Sequence, residues 1–417
     1  MQLKERQGGA ADARLFAVVI IKPGEKGRFF RLPNEQDLEA VIKAKNELKK
    51  RKKQHHEALS LVPEEPTPHG GGSGAGRAFS QRNYGMDKFE NLFTPRQLLA
   101  LTTLVRLVQE LGKKLAHKYD NKLAYAVQTC FALVINRVAD SCSSLCSYDP
   151  NPTMSGINHT FVRQAISMLW DFAEGDPTNE RSGGWETSLK WLLNVIEREK
   201  QTFGWLGNSE ITSATNHFLP DDSAQFLCTD PPYYDAVPYA DLSDFFYVWL
   251  KRSLSSSTDI SFSDELTPKK DECIVDEIKG KNRQYFETTM AQAMVEGRRI
   301  LSSEGIGMVV FAHKSTSGWE AQLQAMVDAG WTITGSWTID TEMGTRLRAR
   351  NSAALASSVH LVCRPRNADE IGDWRDVLQE LPQRIHKWIP HLVAEGVVGA
   401  DAIFACLGPA LEIFSRY

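Results

Sequence analysis

The chain carries its clearest chemical signal in one stretch, Thr229-Asp230-Pro231-Pro232-Tyr233-Tyr234-Asp235. Each proline has a fixed φ and no amide donor, so the neighbouring backbone carbonyls can be held outward as hydrogen-bond acceptors. The ionised carboxylate of Asp230 is likewise an acceptor only. Tyr233 adds a flat ring on which a base can stack. The stretch predicts a site that orients a primary amino group. The alternative is a turn whose prolines end a strand and whose tyrosines pack.

The flanking elements indicate where this stretch lies in a fold. Residues 224–228 form a short apolar run typical of a buried strand, and residues 239–254 show the periodicity of a helix. A strand that stops at an aspartate, two prolines and an aromatic residue places that turn at the carboxyl edge of a sheet. Open α/β folds keep their chemistry at this edge.

Two levels of resemblance begin at these residues. Asp230-Pro231-Pro232-Tyr233 resembles the catalytic motif of the amino-methyltransferases, which methylate exocyclic nitrogens of DNA bases with S-adenosylmethionine. The longer run 229–252 resembles the prokaryotic adenine-specific DNA methylases that carry a zinc ribbon. Residues 93–108, 309–316 and 352–366 extend this resemblance over most of the chain.

The resemblance implies a DNA adenine N6-methyltransferase with Asp230, Pro231, Pro232 and Tyr233 as its catalytic residues. Tyr233 would stack on an adenine that has left the duplex. The Asp230 side chain and the Pro231 carbonyl would accept hydrogen bonds from its exocyclic amine, so the gain is orientation and preorganised electrostatics. No covalent intermediate is needed, and no cysteine nucleophile is expected. Aspartate at the first position of the motif favours adenine over cytosine.

Further residues are candidates for binding the substrate. Tyr234, Asp235 and Tyr239 follow the motif and would line the pocket, although packing or loop hydrogen bonding explains them equally well. A polar stretch between two predicted strands carries alternating arginines, Arg346, Arg348 and Arg350. They indicate either one solvated face or a loop that contacts DNA phosphates, and the resemblance favours DNA contact.

The cofactor candidates come from the start of a predicted helix. Thr94 is a suitable N-cap and Pro95 suits the first helical position. In methyltransferases of this group, a similar Phe-Thr-Pro element lies over the methionine part of S-adenosylmethionine. The resemblance therefore makes Phe93, Thr94 and Pro95 cofactor-contact candidates. An ordinary capped helix is the alternative.

The order of elements predicts the fold and its divisions. From residue 208 the β-α-β-α-β-β order resembles the second half of a Rossmann-like methyltransferase sheet, within an α/β fold that has a helical insert and a helical tail. The predicted regions are a small α+β segment with a basic helix (1–62), a linker (63–80), a mainly helical region (81–207), the α/β domain (208–366) and the helical tail (367–417). Within these regions the pattern predicts a strand hairpin at 15–21 and 28–32, a helix at 161–172, and two half-buried antiparallel strands at 331–337 and 358–363.

One part of a methyltransferase is missing from the pattern. The backbone must approach the cofactor at a glycine-rich loop after a buried strand, and no strand followed by Gly-x-Gly is found. The glycines at 70–76 follow prolines and glutamates rather than an apolar run, so they indicate a linker. The chain is therefore predicted to be the catalytic half of an enzyme. A separate chain or a missing N-terminal half would carry the loop.

Three hypotheses about function follow. The first is this catalytic half of a DNA adenine methyltransferase. The second is an inactive remnant, a DNA- or partner-binding subunit of a restriction or phage-defence system. The third is a methyltransferase for another planar amine, such as a glutamine amide or an RNA base. The long run 229–252 favours the DNA family over the third hypothesis.

Composition limits the remaining possibilities. The formal net charge of −4 among 417 residues argues against a generally basic nucleic-acid binder, so DNA contact must come from local patches. The helix predicted after Asn34 is such a patch or a solvated face, with seven cations at 43–53. Cys142 and Cys146 lack a second ligand pair, so no metal is expected. No apolar run suits a membrane span and no signal peptide is visible, which predicts a cytoplasmic protein.

Overall fold

The computed structural model is of mixed α/β type and divides into two compact units. The first unit contains Met1–Leu206 and Pro238–Glu272, and the second contains Gly207–Val237 and Cys273–Tyr417. The first division therefore falls between residues 206 and 207, and residues 238–272 belong to the first unit. The structure describes all residues except 1, 23, 26, 72–73, 152–155, 179–182, 201–206, 233, 235–236, 256–261, 312–315, 340–357, 367–372, 396, 398–399 and 417.

The first unit is mainly helical. Its strands, β1 (Val18–Ile20) and β2 (Phe29–Arg31), form the predicted antiparallel hairpin. Its helices are α1 (Gln2–Arg6), α2 (Glu35–Gln54), α3 (Pro95–Ala116), α4 (Asn121–Asp140), α5 (Trp185–Glu199) and α6 (Tyr239–Leu254).

Local signals decide where α2 and α3 begin. The Asn34 side chain accepts a hydrogen bond from the Asp37 amide, and Thr94 accepts one from the Gln97 amide. In both helices the third residue bonds back to the cap, so each start is a complete capping box. Pro95 occupies the first position of α3, where its missing amide hydrogen costs nothing. Both predicted starts are confirmed.

Two segments of the first unit differ from the simple sequence pattern. The helix predicted at 161–172 is wrong: Ile166 makes a β-bridge to Phe79, and Phe172 makes one to Ser147. These partners lie far away in the sequence, so tertiary pairing outweighs the local periodicity. The segment predicted as a linker, 63–80, includes several side chains that are less than 9% exposed, such as Glu65, Thr67 and Phe79.

The described residues of the second unit form one four-stranded sheet and four α-helices. In chain order its elements are β3 (Ala224–Thr229), α7 (Arg283–Ile300), β4 (Leu301–Phe311), α8 (Thr316–Asp328), β5 (Trp331–Ile339), β6 (Ser358–Pro365), α9 (Trp374–Ala394) and α10 (Ala400–Arg416). The sheet order is β3-β4-β6-β5. β3 and β4 are parallel, whereas β6 is antiparallel to both of its neighbours. The predicted antiparallel pairing of the last two strands is confirmed.

The core of the second unit lies between the sheet and the helices α7 and α8. Val309 and Phe311 of β4, Trp331 of β5 and Leu361 of β6 are at most 1% exposed. The buried indole of Trp331 donates to the Met294 carbonyl at 3.0 Å, so its one polar group is satisfied. Strand β5 and helices α7 and α8 are therefore fixed to one another.

Strand β3 forms where the apolar run predicts it, but its predicted burial is wrong. The ring of Phe226 is 57% exposed, and Cys228 is exposed as well. Leu227 on the opposite side contributes to the core. The difference arises because β3 is an edge strand with one face covered, and burial of an apolar run depends on what packs against it. Among the described helices, none is long and apolar enough to cross a membrane.

Candidate functional site

The strands of the second unit bring several chain ends to one edge of the sheet. Thr229 pairs with Val309, so the parallel strands β3 and β4 end on the same side. The end of β5 and the start of β6 lie at the same edge, because Ser358 of β6 pairs with Ile339 of β5. Asp230 follows β3 directly. The motif therefore lies at the carboxyl edge of the parallel pair, where the sequence predicts it.

The turn after β3 combines an exposed carboxylate with a fixed backbone. Asp230 is exposed, Pro231 is buried and Pro232 is half-buried. The amide of Tyr234 donates to the Pro232 carbonyl at 3.2 Å. No described residue donates to the Pro231 carbonyl. This carbonyl is thus the acceptor that the turn leaves for a ligand, next to the Asp230 side chain.

Tyr234 holds this turn in place. Its φ is 57°, a left-handed conformation that is rare for a bulky residue. Such a backbone costs roughly 1–3 kcal/mol and persists only where the surroundings determine it. Here the Val275 amide donates to the Tyr234 carbonyl at 3.0 Å, and the ring meets Phe286 edge-on at 5.2 Å. Tyr234 therefore anchors the motif, and its half-buried ring contributes to the core of the unit.

Five of the predicted site residues lie outside the described part of the chain. They are Tyr233, Asp235, Arg346, Arg348 and Arg350. The residues that flank the arginines, Ile339 and Ser358, are described and lie at the same sheet edge as Asp230.

The remaining predicted residues belong to the first unit. Tyr239 begins α6 and is 54% exposed. Phe93 is 3% exposed, and its ring stacks on Phe245 with the centroids 5.6 Å apart. Thr94 is 5% exposed and caps α3. Of the three cofactor candidates, Phe93 and Thr94 are buried and Pro95 is half-buried.

The structure also shows structural roles that the sequence pattern missed. Arg252, the last residue of the family-like run, is 3% exposed. Its guanidinium makes two 3.0 Å bonds to the Glu65 carboxylate and donates to the Val62 carbonyl at 2.7 Å. Because Glu65 lies 187 positions away, no local signal could have revealed this pair.

Helix α6, which contains Arg252, also carries a buried acid. Asp244 is 1% exposed, and it pairs with Lys269 at 2.8 Å and accepts from the Thr267 hydroxyl at 2.7 Å. Burial raises the pKa of the Asp244 carboxyl, while the hydrogen bonds from Lys269 and Thr267 oppose that shift. Since both partners lie in the chain after α6, this carboxylate positions that segment within the first unit.

An ion cluster fixes the entry into β3. Arg299 at the end of α7 makes two hydrogen bonds to Glu296, at 2.7 and 2.8 Å. It also pairs with Asp221 at 2.5 Å and donates to the Leu219 carbonyl at 2.9 Å. The hydrogen bond from Arg299, followed by one from the His217 amide, lowers the pKa of Glu296 to about 2. The segment that leads to the motif is thereby attached to α7.

Neither metal ligands nor relatives add to this description. In the described ranges, no group of three or more His, Cys, Asp or Glu side chains could hold a metal ion. Comparison with protein-family models, curated proteins and solved structures finds no match to this chain. The exposed Asp230 and the adjacent Pro231 carbonyl lie at the carboxyl end of β3.

Proposed function

We propose that the second unit is the catalytic half of an S-adenosylmethionine-dependent DNA adenine N6-methyltransferase. The observation that carries the proposal is Asp230 with Pro231 and Pro232 at the carboxyl end of β3, in a turn held by Tyr234. The sheet order supports it, because a parallel pair followed by an antiparallel pair resembles the second half of a methyltransferase sheet.

In this proposal the chain recognises and orients the base. An adenine that has left the duplex presents its exocyclic amine, at a cost of a few kcal/mol in lost stacking. The Asp230 carboxylate and the Pro231 carbonyl accept hydrogen bonds from the amine, and Tyr233 stacks on the ring. Because the turn is already fixed, little reorganisation opposes the reaction. The methyl group itself comes from S-adenosylmethionine.

The proposal requires a partner polypeptide for cofactor binding. Phe93 and Thr94 are buried in the first unit, and no glycine-rich loop follows a described strand. We propose that a separate chain, or an N-terminal half, carries this loop on a strand that pairs with β3 and extends the sheet. The exposed Phe226 and Cys228 on β3 support this arrangement, since an added unit would cover them.

The test is transfer of labelled methyl groups to DNA by the chain together with the polypeptide that carries the loop. Asp230→Asn removes a charge without a change of shape, and we expect it to lower the rate by about 100-fold or more. Tyr233→Ala removes the stacking ring and should also lower the rate strongly. Asp328→Asn, at the exposed end of α8, is the matched control and should leave the rate unchanged.

The outcomes separate the hypotheses. Methyl transfer at the wild-type rate in both motif variants would sink the assignment of the site. Isothermal titration should show S-adenosylmethionine binding only when the partner polypeptide is present. If DNA and partner bind but no methyl group is ever transferred, the chain is an inactive subunit. Transfer to RNA or to a protein amide in place of DNA would change the substrate class.

A further inference from the structure

The first unit contains a basic groove that the proposed reaction does not use. It encloses about 440 Å³ and is lined by Lys45, Leu48, Lys49, Lys52, Lys53 and Pro95. Helix α2 supplies all of these residues except Pro95, the first residue of α3. Four lysine side chains therefore line one groove, in a chain whose formal net charge is −4.

Acidic partners neutralise several of the other cations on α2. Lys43 pairs with Glu39 at 2.9 Å, which lies one turn earlier on the helix. Arg51 pairs in the same way with Glu47 at 2.8 Å. These two pairs are ordinary contacts of a solvated helix and add little to stability.

The cations of the groove are different. Lys52 pairs with Glu90 at 2.9 Å, and Glu64 lies 3.5 Å from it, so its charge is compensated. Lys45, Lys49 and Lys53 are exposed and have no acidic partner among the described residues. The groove therefore retains the uncompensated charge of three lysines.

The three lysines form a straight row. They are spaced by four residues, which places them on one face of α2 in steps of about 6 Å. Like charges at this spacing destabilise a helix by roughly 0.2–0.5 kcal/mol per pair. Leu48 is 7% exposed beneath them, and it offers the apolar surface along which lysine stems pack. A bound anion would relieve this repulsion.

The shape of the row selects the ligand. A compact anion can contact only neighbouring ammonium groups, whereas a linear polyanion can follow all three. The phosphate backbone of a nucleic acid is such a ligand, and lysine contacts to it release counterions. We infer that Lys45, Lys49 and Lys53 bind successive phosphates of a nucleic acid backbone without regard to its sequence. This inference concerns binding alone, so it stands independently of methyl transfer.

The test measures the salt dependence of binding to a fluorescent duplex of mixed sequence by anisotropy. Lys45, Lys49 and Lys53 are replaced together by glutamine in the full chain. The slope of log K against log salt is negative, and each lost phosphate contact makes it shallower by about 0.9. We therefore expect the slope of the triple variant to be shallower by about 2.7. Affinity at low salt should fall for every duplex sequence alike.

A matched control distinguishes binding by these three lysines from an effect of net charge. Lys113, Lys114 and Lys122 are also exposed helical lysines, and their replacement by glutamine changes the net charge equally. The control should keep the wild-type slope. Thermal unfolding of each variant checks that α2 remains folded.

Three results would overturn the inference. One is a salt slope that the triple variant leaves unchanged. Another is an equal reduction in the control triple, which would assign binding to net charge. The third is competition by polyglutamate or anionic vesicles as strong as that by duplex DNA, which would assign the groove to an acidic protein or a lipid surface.

Discussion

At one edge of the four-stranded sheet a helix covers β5, whereas at the other edge β3 exposes apolar side chains. Helix α10 makes its contacts with β5 through polar groups as well as through packing. The Ser415 hydroxyl accepts from the Ile333 amide at 3.0 Å, and the Ser336 hydroxyl donates to the Ala405 carbonyl at 2.7 Å. Helix α10 of the same unit therefore supplies hydrogen-bond partners to β5.

The β3 edge has no such cover among the described residues. β3 pairs with β4 alone, and the ring of Phe226 is 57% exposed. Native proteins usually cover or charge an edge strand, because its unpaired backbone groups invite pairing with other chains. The partner polypeptide proposed above would account for this difference, since a strand added at β3 would extend the sheet on that side. The open edge is also the one that carries Asp230.

The largest contrast is expected in thiol reactivity, between the β3 edge and the interior of the sheet. Cys228 on β3 is exposed, whereas Cys363 on β6 is 0% exposed and burial raises the pKa of its thiol. Modification of Cys363 requires unfolding, which costs about 5 kcal/mol or more, so it should react at least about 1000-fold more slowly. Mass spectrometry of peptides during maleimide labelling measures both rates.

The Cys228→Ser variant is the control for this measurement, since it should lose the rapidly modified peptide and nothing else. Equal native rates for the two thiols would contradict the exposure of Cys228 on the β3 edge. If the partner polypeptide pairs with β3, its addition should slow the labelling of Cys228 and leave that of Cys363 unchanged.

Truncation of one apolar side chain on each edge should give the next largest difference. Ile333→Ala removes a fully buried side chain on β5 and should lower the free energy of unfolding by about 2–5 kcal/mol. Phe226→Ala on β3 should lower it by less than about 1 kcal/mol, because most of the ring is exposed. Urea unfolding measures both. A loss at Phe226 as large as that at Ile333 would show a covered β3 edge.

The close contact between α10 and β5 predicts a smaller effect. A Cβ at Gly408 would lie 2.4 Å from the Ser336 hydroxyl oxygen and 2.6 Å from its amide nitrogen. Gly408→Ala should therefore destabilise the chain by about 1–3 kcal/mol through overpacking, although alanine favours helices. Gly207→Ala has no atom within 4 Å and serves as the control. A stabilised Gly408→Ala variant would mean that α10 is not tightly packed on β5.

The smallest predicted effect is the pH dependence of the segment that enters β3. The pKa of Glu296 is lowered from its ordinary value of 4.5 to about 2 by Arg299. Its contribution to stability is therefore complete above the unfolded pKa and is lost as the pH falls toward 2. Urea midpoints between pH 7 and 3 should decrease less steeply for Glu296→Gln than for the wild type. The exposed Glu304→Gln variant should follow the wild type.

Local chemistry made several elements predictable. The start of α3 follows from Thr94 and Pro95, whose types suit its first two positions whatever surrounds them. The alternation of Trp331, Ile333 and Trp337 with smaller polar residues predicted a half-buried strand, and β5 contains all three. The strand and turn around Asp230 followed from the same kind of short-range signal.

Long-range packing explains what the sequence pattern missed. The left-handed backbone of Tyr234 depends on Val275 and Phe286, which lie more than 40 positions away. The burial of Phe93 depends on its contact with Phe245. A motif predicts which chemical groups are present, but these contacts decide which of them are accessible to a ligand.

The sequence by itself determined the order of elements from β3 to β6, the helix caps and the aspartate at the end of β3, because these depend on residues within a few positions of each other. The tertiary structure decided that, among the described residues, β5 is covered and β3 is open, and that Lys45, Lys49 and Lys53 have no acidic partner. These features depend on which distant segments meet. The local sequence of a strand or a basic helix is the same whether or not another segment packs against it.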